Sequence, residues 1–250
     1  MIKYLTFATA LCMLMACNTE TEKPTDEITD SGNIPAVYQK VYGATDMYID
    51  GNELVITCNG LPDHGSPYYA GTMWADSLYE PYNGSNPNWV QNPNVIAAQN
   101  LTFRIPLNPT EDPVHAPTPL GPIGVALNGV PFFNQYAAGG AALTDVEINS
   151  FDQYYGHPTP MMTYHYHWEP LYLTNNEGSD ALLGFLLDGF PVYGPVENGV
   201  DVQESDLDAY HGHIRATADY PEGIYHYHVT ALDPYINGAG FYGVPGSVTF

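Results

Sequence analysis

The chain is poor in positive charge. Of 250 residues only 5 are lysine or arginine, against 28 aspartates and glutamates, giving a formal net charge of −23. Five cations cannot line a groove for a phosphate backbone, so nucleic acid is excluded as a partner. The same field attracts cations. Cysteine is almost as scarce. Cys12 lies within an N-terminal apolar run, Cys17 follows that run, and Cys58 then stands alone. No intramolecular disulfide is expected, and Cys58 reads as a buried, inert thiol, with a thiolate ligand or nucleophile as the alternative. No apolar pattern of helical period persists over a dozen residues beyond the N-terminus. No run is long enough to span a bilayer, Tyr4–Ala16 included. G-x-S-x-G, H-E-x-x-H and phosphate-binding glycine loops are missing, so nothing points to the hydrolases or nucleotide enzymes that carry them.

What is abundant is tyrosine, glycine and proline, with 21, 24 and 22 residues, in a chain that is 44% hydrophobic. Many turn formers and aromatics with a sizeable apolar fraction predict an all-β, sandwich- or barrel-like single domain with long ordered loops. The N-terminus has its own organisation. Lys3 gives a positive start, the apolar run follows, and Leu14-Met15-Ala16-Cys17 resembles a bacterial lipobox. Residues 1–16 read as a lipoprotein signal peptide, with lipid carried on Cys17. Residues 17–35 are polar and acidic and read as a flexible tether, leaving residues 36–250 as the β domain. The expected partner at this end is a bacterial membrane, with the domain on its periplasmic or cell-surface side.

Within the domain, Tyr48–Ile56 reads as a hairpin about an Asp-Gly turn, and residues 66–93 as a long ordered loop rich in Tyr, Trp, Asn and Pro. Val95–Leu107 reads as a strand. From Gly124 onward the sequence repeats. GVALNGVPFF (Gly124–Phe133) aligns with GFLLDGFPVY (Gly184–Tyr193), each an apolar strand, an Asn-Gly or Asp-Gly turn and a return strand. Pro131 and Pro191 cannot donate to a ladder, which places the return strands at sheet edges. Next, Asp152–His157 (DQYYGH) aligns with Asp208–His213 (DAYHGH), and Tyr164–His167 (YHYH) with Tyr225–His228 (YHYH). A shuffled chain of this composition would hold only about 0.002 copies of the last word. Three blocks in one order therefore predict an internal duplication, with repeats near 124–167 and 184–228.

The histidines are the candidate chemistry. In a strand, residues i and i+2 share a face, so His165 and His167 point one way, as do His226 and His228, with their tyrosines on the opposite, core-facing side. Each repeat adds a third histidine after a glycine, His157 or His213. Three imidazoles suffice for a metal site with an open position. The metal-ligand candidates are His157, His165, His167, His213, His226 and His228, with His64 and His211 weaker; His115 lies outside the repeat. The two sets form either two sites or one site shared at a pseudo-twofold axis. Imidazole ligation favours Cu or Zn and disfavours Ca. Asp152, Asp208 and Asp63 read as partners that orient a histidine ring, the first two alternatively as turn residues.

Taken together, the YHYH words, Asp188–Pro195 (DGFPVYGP), Gly60–His64 (GLPDH) and Pro221–Thr230 (PEGIYHYHVT) resemble the bacterial YHYH domain family over roughly Tyr48–Gly246. The resemblance implies a secreted or lipid-anchored bacterial protein whose activity is not established. Members often carry a cysteine near the segment matching Leu207–His213; here Ala209 and Tyr210 stand there, so no role for that cysteine transfers. The function expected is extracytoplasmic binding of Cu or Zn through the duplicated H-x-H strands, weakening below about pH 6 as the ligands protonate. The alternatives are a metalloenzyme, hydrolytic or oxidative, with an open three-histidine site, and a glycan-binding surface module built on the aromatic loop Tyr68–Trp89.

Overall fold

The computed structural model describes Met1, residues 34–238 and residues 240–250. The expected signal peptide beyond Met1, Cys17, and the expected tether as far as residue 33 lie outside the described residues. Two main sheets form the domain. The smaller is antiparallel, in the order β1-β2-β3-β14, from Ala44–Asp50, Glu53–Cys58, Leu101–Pro106 and Ser247–Thr249. In β3 the alternation of the sequence is kept: Leu101, Phe103 and Ile105 are buried, while Thr102, Arg104 and Pro106 are half-exposed.

The larger sheet has eight strands. Its first half comprises β4 (Pro122–Ala126), β5 (Pro131–Phe133), β6 (Gly156–Pro158) and β7 (Tyr164–Tyr166). Its second half comprises β8 (Leu182–Leu186), β9 (Pro191–Tyr193), β12 (Gly212–Arg215) and β13 (Ile224–His228). The order β12-β13-β9-β8-β4-β5-β7-β6 is a palindrome. In each half a hairpin is followed by a parallel strand carrying YHYH, and then by an antiparallel strand beginning Gly-His. The halves join where β4 and β8 run antiparallel, pairing Gly124 with Leu186 and Ala126 with Gly184. A Cβ on Gly124 would lie 2.4 Å from the Phe185 carbonyl oxygen, and one on Gly184 2.2 Å from that of Val125. The two glycines therefore permit the close approach at the pseudo-twofold axis. The internal duplication is thus visible in the topology.

One apolar cluster spans both sheets, joining Leu54, Ile56, Phe103 and Ile105 to Val125, Phe132, Phe185 and Val192. The architecture is all-β and sandwich-like. Cys58 is buried in the cluster, and burial pushes its thiol up to about 12, as expected of an inert residue. The short strands β10 (Val196–Glu197) and β11 (Val200–Asp201) form a separate ribbon after β9.

Three local expectations need correction. The return strands β5 and β9 are interior, each between its hairpin mate and a YHYH strand. Proline is accommodated because it is the first residue of each strand, and the parallel neighbours first pair at Phe132 and Val192, one residue later. The strand expected over Val95–Leu107 covers only Leu101–Pro106, since the Ile96, Ala97 and Gln99 amides bond to Tyr68, Met162 and Asn59 carbonyls in loops. The first hairpin turns on Gly51-Asn52 rather than Asp50-Gly51, because Asp50 pairs with Glu53.

The tyrosines tie each half together. The first tyrosine of each word bonds to the aspartate of the preceding turn: Tyr164 Oη to Asp152 and Tyr225 Oη to Asp208, both at 2.9 Å. Gly156 and Gly212 let those rings pass, since a Cβ at either would lie 2.3 or 2.5 Å from the ring. The second tyrosine reaches the hairpin turn: Asn128 Nδ2 donates to Tyr166 Oη at 3.1 Å, and Tyr227 Oη donates to Asp188 at 2.6 Å. Replacing Tyr164 by Phe leaves the fully buried Asp152 without one of its donors. We expect Tyr164→Phe to destabilise the domain by about 1–3 kcal/mol in urea unfolding; an unchanged midpoint would refute this role.

Candidate metal centres

The pairing register builds the first cluster. His157 of β6 lies directly opposite His165 of β7, and His167 follows one residue beyond β7 on the same face. His165 Nε2 is 3.1 Å from His157 Nε2 and 2.9 Å from His167 Nε2. A tetrahedral ion with metal–nitrogen bonds near 2.05 Å would hold such nitrogens about 3.3 Å apart. All three residues are buried.

The other ring nitrogens are already committed. His167 Nδ1 donates to the Asn134 carbonyl at 2.5 Å, and His165 Nδ1 to that of Thr163 at 3.2 Å. His157 Nδ1 donates at 2.6 Å to Ser150 Oγ, whose own proton goes to the Glu147 carbonyl. A neutral imidazole has one N–H. With that hydrogen on Nδ1, each Nε2 presents a bare lone pair, and three lone pairs meet with no proton between them. Protonation does not relieve this. Burial holds His157 down at about 3 and His167 at about 4, and His165 well below the ordinary value, with neighbouring imidazoles adding to the effect for His157 and His165.

The second cluster repeats the first. His213 of β12 pairs with His226 of β13, their Nε2 atoms 3.2 Å apart, and His228 lies two residues on along β13. His213 Nδ1 meets the Asp206 carbonyl, His226 Nδ1 that of Ile224 and His228 Nδ1 that of Gly194, at 3.2, 3.1 and 2.7 Å. These supports are equivalent by position to Ser150, Thr163 and Asn134. Burial lowers His226 and takes His228 to about 4.

Here a fourth group joins. Glu197 Oε1 stands 3.4 Å from His213 Nε2 and 3.6 Å from His226 Nε2. That oxygen and His228 Nε2 are both buried without a hydrogen-bond partner. Burial acts to raise the Glu197 carboxyl, but its bond to Arg215 and the neighbouring His213 outweigh this, and the net shift is downward. Ligand atoms of His157, His165 and His167, and of Glu197, His213, His226 and His228, converge closely enough for each group to hold one metal ion. Among the described residues these are two separate groups rather than one at the axis. Five strand spacings separate β7 from β13, roughly 24 Å across the sheet.

The weaker candidates stand apart. His64 is buried and satisfied: Nδ1 donates to the Gly65 carbonyl, and Tyr166 Oη lies 3.1 Å from Nε2. His211 Nε2 contacts Glu204 at 3.1 Å and Thr230 Oγ1 at 3.2 Å. His115 stacks on Tyr210. None belongs to either group. The three aspartates do not orient the rings. Asp152 and Asp208 accept from turn amides and tyrosines, and Asp63 from Tyr42 and Asn128. Backbone carbonyls and Ser150 orient the imidazoles instead. On the aromatic loop, Tyr68 and Tyr69 are in the core, and half-buried Tyr82 and Trp89 stack on each other with centroids 4.4 Å apart. Those rings form no coplanar exposed platform of the kind glycans stack on.

The sheet and its sites thus define an all-β protein with a duplicated histidine-centred unit. The family model described as YHYH protein matches residues 102–203 and 196–240, together more than half of the chain. The chain belongs to the YHYH protein family. No curated protein and no solved structure matches it significantly.

Burial disfavours the imidazolium, so the metal-free folded chain refuses protons that the unfolded chain takes up below about pH 6.5. The histidine contribution to stability is full above that pH and is lost as pH falls towards 3–4. Asp188, raised by burial to about 6, acts with the opposite sign. The direct observable is ring protonation. In NMR titration of metal-free protein, His157, His167 and His228 are expected to remain neutral at pH 5. Midpoints near 6.5 would contradict the burial argument.

Proposed function

We propose that the protein is an extracytoplasmic, lipid-anchored metal-binding protein that holds two transition-metal ions, Zn or Cu. The observation that carries this reading is the convergence of imidazole nitrogens. Nδ1 of every ring meets an oxygen acceptor, and the Nε2 atoms converge in two places, one buried and the other half-buried at His213 and Glu197. Such an arrangement is electrostatically unfavourable by itself and is relieved by a cation that accepts the lone pairs. Imidazoles, one carboxylate and no thiolate suit Zn and Cu. The acidic chain, at −23, raises the local cation concentration. The location rests on the apolar N-terminal run ending in Leu14-Met15-Ala16-Cys17.

Two equivalents of Zn or Cu per chain are expected from elemental analysis of untagged protein after loading and desalting. His165→Ala and His226→Ala should each lower the content by about one equivalent. Absence of any uptake by the unsubstituted protein would refute the reading. Since the metal-free imidazoles resist protonation, retention should extend below the pH of 6 expected of exposed histidines.

A further inference from the structure

The two centres match in their histidines and in the positions of the residues that orient them, but differ in the fourth direction. Glu197 lies sixty residues after Ala137, the same offset that relates Gly189 to Gly129 in the hairpin turns. At the second centre this position supplies a carboxylate beside the imidazoles, and Glu197, His226 and His228 border a smaller cavity of about 220 Å³. At the first it supplies a methyl group, and Ala137 lines a cavity of about 630 Å³ that includes His157, His165 and His167 in its wall. The rest of that wall is largely apolar, with Leu120, Phe133, Tyr136, Val146, Pro158 and Pro160. Leu120, Tyr136 and Val146 are themselves exposed, which places the mouth of the cavity at the surface. Among the described residues neither lysine nor arginine lines it, and its one ionisable group besides the histidines and Tyr136 is Glu147.

Resting on the metal reading above, we propose that the two centres have different tasks. The metal held by His157, His165 and His167 keeps a coordination position for an external ligand, whereas Glu197 fills the corresponding position at the second centre. The ligand class follows from the cavity. It is a small organic molecule with one anionic oxygen donor, a carboxylate or phenolate, and an apolar body. The oxygen meets the metal because no protein cation is available to it there, and the body lies against Phe133, Val146 and the prolines. Binding therefore requires the metal. Three protein ligands with an open fourth position is the arrangement of catalytic rather than structural sites. The second centre, with four protein ligands, is of the structural type.

The test uses the full protein loaded with Co(II), whose visible spectrum reports coordination number, and titrates benzoate and acetate. Two equivalents of cobalt are expected, with only one centre changing spectrum on benzoate. Benzoate should bind roughly tenfold or more tightly than acetate, since its ring is removed from water. Ala137→Glu should retain both cobalt ions and lose the response. Ala137 sits on a half-exposed loop, so the substitution has room, and the retained cobalt verifies folding. Glu197→Ala should make the second centre respond to acetate. Full cobalt uptake with no response to benzoate, or a response that persists in Ala137→Glu, would overturn this proposal alone. Failure to bind any cobalt would overturn it together with the metal reading.

Discussion

The two-residue period of the extended chain is the constraint on which the rest depends. Tyr164-His165-Tyr166-His167 and Tyr225-His226-Tyr227-His228 have only two faces to offer. The tyrosine face enters the core and is fixed by hydrogen bonds to the preceding turn and to the hairpin turn. With the tyrosines fixed, the histidines have no freedom left and point away from that core in a defined register. The neighbouring Gly-His strand then sets a third imidazole directly opposite the first of the pair. The four-residue word is thus a coupling device. Its tyrosines hold the fold, and its histidines are aimed by the same backbone.

Duplication built the large sheet from two such units, joined at β4 and β8. An antiparallel junction places the YHYH strands on opposite sides of the axis, so the two histidine sets are separated rather than merged. Supports for the rings are equivalent by position in the two halves, and all but the Ser150 hydroxyl are backbone carbonyls, which a side-chain substitution cannot remove. The halves differ at core positions, such as Val125 against Phe185, and beside the histidine groups. Glu197 against Ala137 is the difference with chemical weight, since it decides whether a carboxylate or a methyl group stands beside three imidazoles.

Much of this was legible in the residues. The hairpins, the repeat, the tyrosine core face and both histidine triplets follow from spacing. The interior placement of β5 and β9 was not, because a proline at the first position of a strand is compatible with either an edge or an interior. Glu197 was also missed. It is one of 28 acidic residues, and its signal was only that the hairpin alignment continues past Tyr193 to set it against Ala137. The aspartates near the histidines in sequence suggested ring partners. They bond instead to tyrosines and turn amides, since the aspartate of a turn reaches its own backbone first.

The sequence by itself determined the all-β class, the repeated unit and which six histidines share faces, because these are consequences of local period and turn chemistry. Tertiary structure decided that the histidines gather in two separate groups, which carbonyls face the imidazoles, and that one group includes a carboxylate while the other has imidazoles alone. Those depend on strand order and on contacts between segments distant in the chain. Local period does not encode either.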